Sequence, residues 1–423
     1  MKDKTSITRR DFTRKAVAAA ATISFLPRHV LGGVGFTAPS DQLTRAVIGV
    51  GGMGLGHLDY KGARTLAVCD VDEKHLKRAL KKAGNGVKGY KDFREVLERS
   101  DIDIVHIPTP PHWHALIAIA AAEAGKDIWC EKPMTRTIGE GIKLVEAVQR
   151  NGRIFRLNTW FRFRDMFYGF GTTVKPIKKL VQTGLLGWPL KCTVSRTTGF
   201  NWKFYWSGKT DLKPMPVPSE LDYDFWLGPA PYKPFHPHRV HSSFRGYWDY
   251  DGGGLGDMGM HYLDPVQYIL DKDNTSPVEI VADGPQQHPD ACGSWRLIRL
   301  KYADGCEIIL DGEGKDEGVP FLEGPDGKLY PGFKSNIHNL KKKLAAFKDP
   351  EPQVTDFSEA VRKRQKFALN EENGHRSCTI VNLAKIAVRL GRPLHFDPKK
   401  QKFINDEEAN RFIFQPMRAP WHL

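Results

Sequence analysis

The run Arg45-Ala46-Val47-Ile48-Gly49-Val50-Gly51-Gly52-Met53-Gly54 constrains this chain more than any other segment, because a short β-rich stretch entering a G-x-G-x-x-G turn admits few folds. Gly49 permits a tight turn, Gly51 lets the backbone approach a diphosphate, and Gly54 allows a helix to pack closely on the strand with its N-terminus facing negative charge. A second apolar run, Thr65-Leu66-Ala67-Val68-Cys69, ends at Asp70, close to the offset at which a carboxylate accepts both ribose hydroxyls of a dinucleotide. A carboxylate there repels a ribose phosphate and no Arg follows it immediately, so NAD(H) is favoured over NADP(H). The plainer alternative makes Asp70 a turn cap. Helical stretches over 73–83, 93–99 and 114–124 alternate with apolar runs at 102–107 and 127–130, which is the pattern of a doubly wound parallel sheet. The loop Pro108-Thr109-Pro110-Pro111-His112-Trp113-His114 leaves the carboxyl end of a strand, the edge where ligands sit in such sheets. Its histidines either touch the cofactor or cap the next helix.

The 423 residues leave room for about two or three domains, and 40% hydrophobic against 26% charged residues excludes a disordered chain. No apolar run reaches the roughly 18 residues of a membrane span, so a water-soluble protein without a membrane anchor is expected. The net charge of +14 is not a nucleic-acid signature: part of it sits in the leader, where Lys2, Lys4, Arg9, Arg10, Arg14, Lys15 and Arg28 outnumber Asp3 and Asp11, and the rest is scattered in short runs. That leader carries Thr8-Arg9-Arg10-Asp11-Phe12 and an apolar stretch from Ala16 to Leu26, which reads as a twin-arginine export signal cleaved near Ala38. The expected compartment is the periplasm; an amphipathic N-terminal helix on a cytoplasmic enzyme is the alternative. An exported enzyme meets little free dinucleotide, so its NAD(H) is expected to be loaded before export, tightly held and recycled in place. Six cysteines without close pairs read as small buried hydrophobes, with a hidden disulfide left open.

Another apolar run, Asp127-Ile128-Trp129-Cys130, leads into Glu131-Lys132-Pro133. A lysine at the carboxyl end of a sheet strand lies near the nicotinamide, where its ammonium hydrogen-bonds a substrate hydroxyl and offsets developing negative charge. Further on, Gly252-Gly253-Gly254-Leu255-Gly256-Asp257-Met258-Gly259-Met260-His261-Tyr262-Leu263-Asp264 places Asp257 and His261 four apart, on one face of a helix, so that the carboxylate can orient an imidazole that moves a proton. Pro265 would open a new helical segment with Asp264 as its cap. His236, His238 and His241 lie nearby but lack the spacing of a zinc signature, and no metal is expected.

The glycine turn, Thr109-Pro110 with His114, and Glu131-Lys132-Pro133, at these separations, resemble the glucose-fructose oxidoreductase, inositol dehydrogenase and MocA (Gfo/Idh/MocA) family across nearly the whole mature chain. The resemblance implies a catalytic set of Lys132, Asp257 and His261. It implies cofactor contacts from Gly49, Gly51, Gly52, Met53, Gly54, Asp70, Thr109, Pro110, His114, Glu131 and Lys132. It also makes the segment from Arg156 to Phe163 the first strand of a substrate domain, with Asn158 and Arg162 as hydroxyl ligands. Of Trp202, Trp206, Trp226 and Trp248, most are expected in the core and one or two, Trp202 among them, against a sugar ring.

The fold expected is thus an α/β N-terminal Rossmann domain, a doubly wound parallel sheet, plus an α+β C-terminal domain with a mainly antiparallel open sheet. Its divisions are a leader and linker (1–38), a dinucleotide-binding domain (39–157), a substrate and oligomerisation domain (158–395) and a tail (396–423). Short alternating strands at 190–197, 278–283, 296–302 and 307–310 supply the second sheet, and a helix follows Gly374-His375-Arg376-Ser377 to about residue 390. By resemblance that sheet walls the substrate cleft and joins subunits as a homodimer or homotetramer. The expected activity is NAD-dependent oxidation or reduction of a secondary hydroxyl on a sugar, glycoside or related polyol. The alternative is a glycosidase of the same fold that oxidises the sugar transiently, eliminates the aglycone and returns the hydride.

Overall fold

Residues 42–159, 162 and 166–423 are described by a computed structural model; the leader expected at 1–38, and Trp160, Phe161 and Phe163, lie outside them. The first sheet consists of β1 (Thr44–Ile48), β2 (Arg64–Cys69), β3 (Lys88–Tyr90), β4 (Ile104–Ile107), β5 (Asp127–Glu131) and β6 (Phe155–Asn158), all parallel, in the order β3-β2-β1-β4-β5-β6. Helices cover both faces, so β4 and β5 are buried at every position. Those helices are α1 (Gly52–His57), α2 (Glu73–Ala83), α3 (Phe93–Leu97), α4 (His114–Glu123) and α5 (Ile138–Arg150). Their starts are written in the sequence. Asp72 caps α2 by accepting from the Lys74 and His75 amides, and Thr137 with Glu140 forms a capping box on α5. Strand order reverses between β1 and β4, which places a crevice at their carboxyl ends.

The segment from Arg156 does not open a substrate domain. Phe155 to Asn158 pair in register with Ile128 to Glu131 as the sixth parallel strand. A short edge strand that buries Phe155 and Leu157 has the same local pattern as the first strand of a new sheet, and only pairing distinguishes them.

The second sheet has nine strands, β7 (Lys191–Ser195), β8 (Glu279–Asp283), β9 (Leu297–Lys301), β10 (Glu307–Asp311), β11 (Leu322–Glu323), β12 (Lys328–Tyr330), β13 (Lys334–Ser335), β14 (Leu394–Asp397) and β15 (Lys402–Phe403). Their order is β13-β12-β11-β7-β10-β9-β8-β14-β15, and only the β7–β10 pair is parallel. Four helices of this half matter for the site: α6 (Val174–Gln182), α7 (Tyr223–Leu227), α8 (Gly253–Ile269) and α9 (Glu371–Leu390). α9 packs on α8 and α5 and on strands β6, β8 and β9, so it ties the two sheets together.

Pro265 does not begin a new segment, because α8 runs through it. Lacking an N–H, Pro265 leaves the His261 carbonyl without its intrahelical donor. Asp264 is correspondingly no cap; it is fully buried and accepts from Arg162, Thr159 and Ser377. The C-terminal segment is docked: Arg418 donates to Gly228 and Asp224, and the Trp421 ring packs on Trp113 and Phe225. All six cysteines are buried free thiols, which removes the disulfide alternative. No helix among the described residues is long and apolar enough to cross a membrane.

Candidate functional site

The crevice at the strand ends is a cleft of about 430 Å³ lined by Gly49, Gly51, Gly52, Met53, Asp70, Thr109, Pro110, Glu131 and Lys132 from the first domain, and by Trp226, His241, Arg245 and Asp251 from the second. Its floor requires glycine. A Cβ on Gly54 would stand 1.9 Å from the Gly49 carbonyl oxygen, and Gly49, at φ +90°, would drive a Cβ to 2.8 Å from Thr109. Gly52 has nothing within 4 Å of its Cβ position and Gly51 meets only the His75 ring at 3.6 Å, so the backbone lies open to the cleft. These positions fit the close approach of a dinucleotide diphosphate. Asp70 sits at the end of β2, its two oxygens aimed by the Val50 amide at 2.8 Å and the Asp72 amide at 2.9 Å. A carboxylate retains acceptor capacity beyond two such bonds, as a ribose ligand needs.

His114 does not reach the cleft. It is buried, with Nδ1 2.7 Å from the Pro133 carbonyl and Nε2 2.7 Å from that of Thr109, and His112 similarly faces the Trp226 carbonyl. Burial pushes both imidazoles below their ordinary pKa, His112 to about 3. His114 thus holds the Thr109 loop against the Glu131-Lys132-Pro133 turn instead of touching a ligand. Glu131 lines the cleft, but its Oε1 accepts from Asn158 at 2.6 Å and lies 2.9 Å from His57 Nε2. Asn158 is thereby turned to Glu131.

Lys132 follows β5 directly, and its ammonium donates to the Asp257 backbone oxygen at 2.7 Å and to Asp257 Oδ1 at 2.9 Å. Asp257, in the second turn of α8, also accepts from Arg245 Nε at 2.9 Å, Trp206 Nε1 at 3.0 Å and Lys203 at 3.4 Å. Burial by itself would raise its pKa, but Lys132 and Arg245 outweigh burial and hold the carboxyl well below the usual range. The expectation that Asp257 orients His261 therefore changes. Both residues lie on α8 as the spacing requires, yet the carboxylate serves cations delivered from β5 and from two loops. Burial, with Lys132 adding, lowers His261 to a pKa of about 3, so its imidazole is neutral at neutral pH.

Two expected substrate ligands are displaced from the cleft. Arg162 is fully buried, with Nη2 2.6 Å from Asp264 and Nη1 2.7 Å from Asp273, because a guanidinium cannot be buried without carboxylates and two are supplied. Trp202 is 3% exposed and packs edge-on against Tyr262 and Trp295. Trp226 lines the cleft and Trp206 meets Asp257. Arg245, Lys203 and Asp251 escape sequence reasoning altogether, since each precedes the Asp257 run on segments without a periodic signal.

Asp251 lines the cleft, and its Oδ1 is buried with no hydrogen-bond partner among the described residues. Burial and then the Asp257 charge raise its pKa from 3.8 to about 6. Above about pH 4 the unfolded chain has released this proton while the folded chain still binds it, so stability falls as pH rises and the loss is complete above about 6. Asp251→Asn removes the effect, and relative to wild type the variant is expected to gain on the order of 3 kcal/mol between about pH 4 and 8, read from denaturant midpoints. A constant difference across that range would refute the raised pKa.

The family profile described as "Oxidoreductase family, NAD-binding Rossmann fold" matches residues 43–159, and "Oxidoreductase family, C-terminal alpha/beta domain" matches residues 170–423. Inositol 2-dehydrogenase of Salmonella paratyphi B is 29% identical over 153 residues, 35% of this chain and 44% of that protein. A glycosyl hydrolase family 109 protein of a Shewanella species is 28% identical over 223 residues, 45% of this chain and 46% of that protein. The chain thus spans about half the length of the curated relatives it matches. Among solved structures, the WlbA dehydrogenase of Chromobacterium violaceum, in complex with NADH and UDP-GlcNAcA, shares the fold with a TM-score of 0.58 at 17% identity, over 84% of this chain and 96% of that one.

Proposed function

The chain belongs to the Gfo/Idh/MocA oxidoreductase family, and from that premise we propose that it moves hydride between NAD(H) and a secondary hydroxyl of a sugar, glycoside or related polyol. The observation that carries this reading is the Lys132 ammonium, set at the end of β5 beside the glycine turn and held by Asp257 from the other domain. NAD(H), when bound, accepts or returns the hydride. Lys132 hydrogen-bonds the carbinol oxygen and offsets the negative charge that develops there. Asp257 holds the lysine in place. The neutral His261 imidazole takes the hydroxyl proton as hydride leaves and gives it back in the reverse direction. Asp70 binds the ribose, and the open backbone at Gly51 and Gly52 takes the diphosphate.

A second reading is favoured by the glycosyl hydrolase family 109 relative: the same hydride step, made transient, followed by elimination of an aglycone and return of the hydride. Incubation of the purified protein with free sugars and aryl glycosides, following nicotinamide absorbance and aglycone release together, separates the two. Net reduced cofactor with a keto-sugar supports the dehydrogenase; released aglycone without net reduction supports the glycosidase. Neither signal across a panel of neutral, amino and acidic sugars overturns both. The Arg9-Arg10 leader supports export to the periplasm with NAD(H) already held, and the nine-stranded sheet supports pairing of subunits.

A further inference from the structure

Away from Lys132, the same cleft carries a cluster that hydride chemistry does not use. Asp72 caps α2, His75 lies on its first turn, and His241 comes from the turn at His241–Gly246 in the other domain. One ligand atom from each lies within 4.8 Å of the others, and all three residues line the cleft.

The arrangement has the parts of a metal site. Asp72 Oδ2 and His241 Nε2 are 3.5 Å apart, long for a hydrogen bond but close to the roughly 3.4 Å that separates donors around a tetrahedral ion with bonds of about 2.1 Å. The other Asp72 oxygen is already fixed by the Lys74 and His75 amides, which orients Oδ2. Asp70 Oδ2 stands 3.6 Å from His75 Nδ1, so a second carboxylate adds negative potential beside the cluster. His241 adopts φ +52°, a strained conformation for a non-glycine residue of the kind that clusters at ligand clamps. Packing of the two imidazoles, whose centroids are 4.8 Å apart, explains their proximity but not the Asp72 Oδ2 that stands 3.5 Å from His241 Nε2.

We propose that Asp72, His75 and His241 form a site for a divalent transition metal of the zinc class that joins the two walls of the cleft beside the glycine turn. Two imidazoles and one carboxylate select such ions over magnesium or calcium, which prefer all-oxygen sets. The neighbouring His236 and His238 take no part: His236 Nδ1 accepts from the His238 amide and His238 Nδ1 faces the Tyr247 hydroxyl.

The site shares the cleft that the proposed function gives to NAD(H), but its test needs no substrate. The full chain, stripped with a chelator, is titrated with Co²⁺ and with Zn²⁺ by calorimetry, and Co²⁺ binding is followed by its visible absorption. One ion per chain is expected, weakened about 100-fold or more in His75→Ala and in His241→Ala, each verified as folded by its melting curve. His238→Ala and Lys132→Ala are expected to bind as wild type does, so failure of the hydride reading leaves this outcome untouched. Absence of saturable binding in the wild type overturns the site, as does binding that survives either His75→Ala or His241→Ala.

Discussion

Lys132→Met is expected to lower kcat by about 10² to 10⁴ while leaving the protein folded. The two halves of that expectation rest on different contacts. Among the described residues the lysine is the cation that the end of β5 delivers to Asp257, and a methionine fills its volume without an ammonium to meet the carbinol oxygen of the proposed substrate. Asp257 does not become a buried orphan, because Arg245 at 2.9 Å, Lys203 at 3.4 Å and Trp206 at 3.0 Å remain on its carboxylate. Stability should therefore change by about 1 kcal/mol or less, the range of a hydrogen bond whose partner keeps others. Steady-state turnover on whichever sugar the paired assay identifies, together with NAD(H) titration and a melting curve, reads all three quantities. Full activity in Lys132→Met would remove the lysine from the chemistry. Collapse of the fold would mean that it is a structural ion pair.

Arg162→Ala should do the opposite, costing about 3 to 5 kcal/mol of stability through the buried charge it abandons. Arg162 and Asp264 both have side chains with no solvent exposure, and the guanidinium reaches Asp273 as well. Once it is gone, the partners left to Asp264 among the described residues are the Thr159 and Ser377 hydroxyls, neither of which carries a compensating charge. Arg162 itself is held charged above its ordinary pKa, because the two carboxylates overcome the burial that would lower it. The measurement is the denaturant midpoint of Arg162→Ala against wild type, with KM determined at a temperature where both are folded. A normal midpoint with a raised KM would restore the hydroxyl-ligand role and contradict the buried pair.

The dinucleotide half was legible because its constraints are local. Gly49 must adopt φ +90° and Gly54 must admit a carbonyl oxygen 1.9 Å from its Cβ position, and only glycine meets either demand. Asp70, Glu131 and Lys132 follow from strand ends, which periodicity locates to within a residue or two. The second half was less legible for a reason seen in Arg162, Trp202 and Asp257. Asp257 was placed on the right helix, but all three were placed wrongly as to what they touch, since apolar and charged patterning reports how deeply a residue is buried and carries no record of which partner crosses to meet it. The strand Phe155–Asn158 failed similarly: its pattern fits either sheet, and pairing with Asp127–Glu131 assigns it.

The sequence by itself determined a glycine-floored turn on a parallel sheet, a carboxylate, Asp70, at the end of the second strand and a lysine at the end of the fifth. Backbone geometry at those points depends on neighbours a few residues away. The tertiary structure alone decided that Lys132 is answered by Asp257, 125 residues distant, that Arg162 is locked inside the protein, and that His241 crosses the cleft to Asp72 and His75. Contacts between elements far apart in the chain arise from packing two sheets about the helix Glu371–Leu390, and no local rule along a single chain encodes which side chains that packing brings face to face.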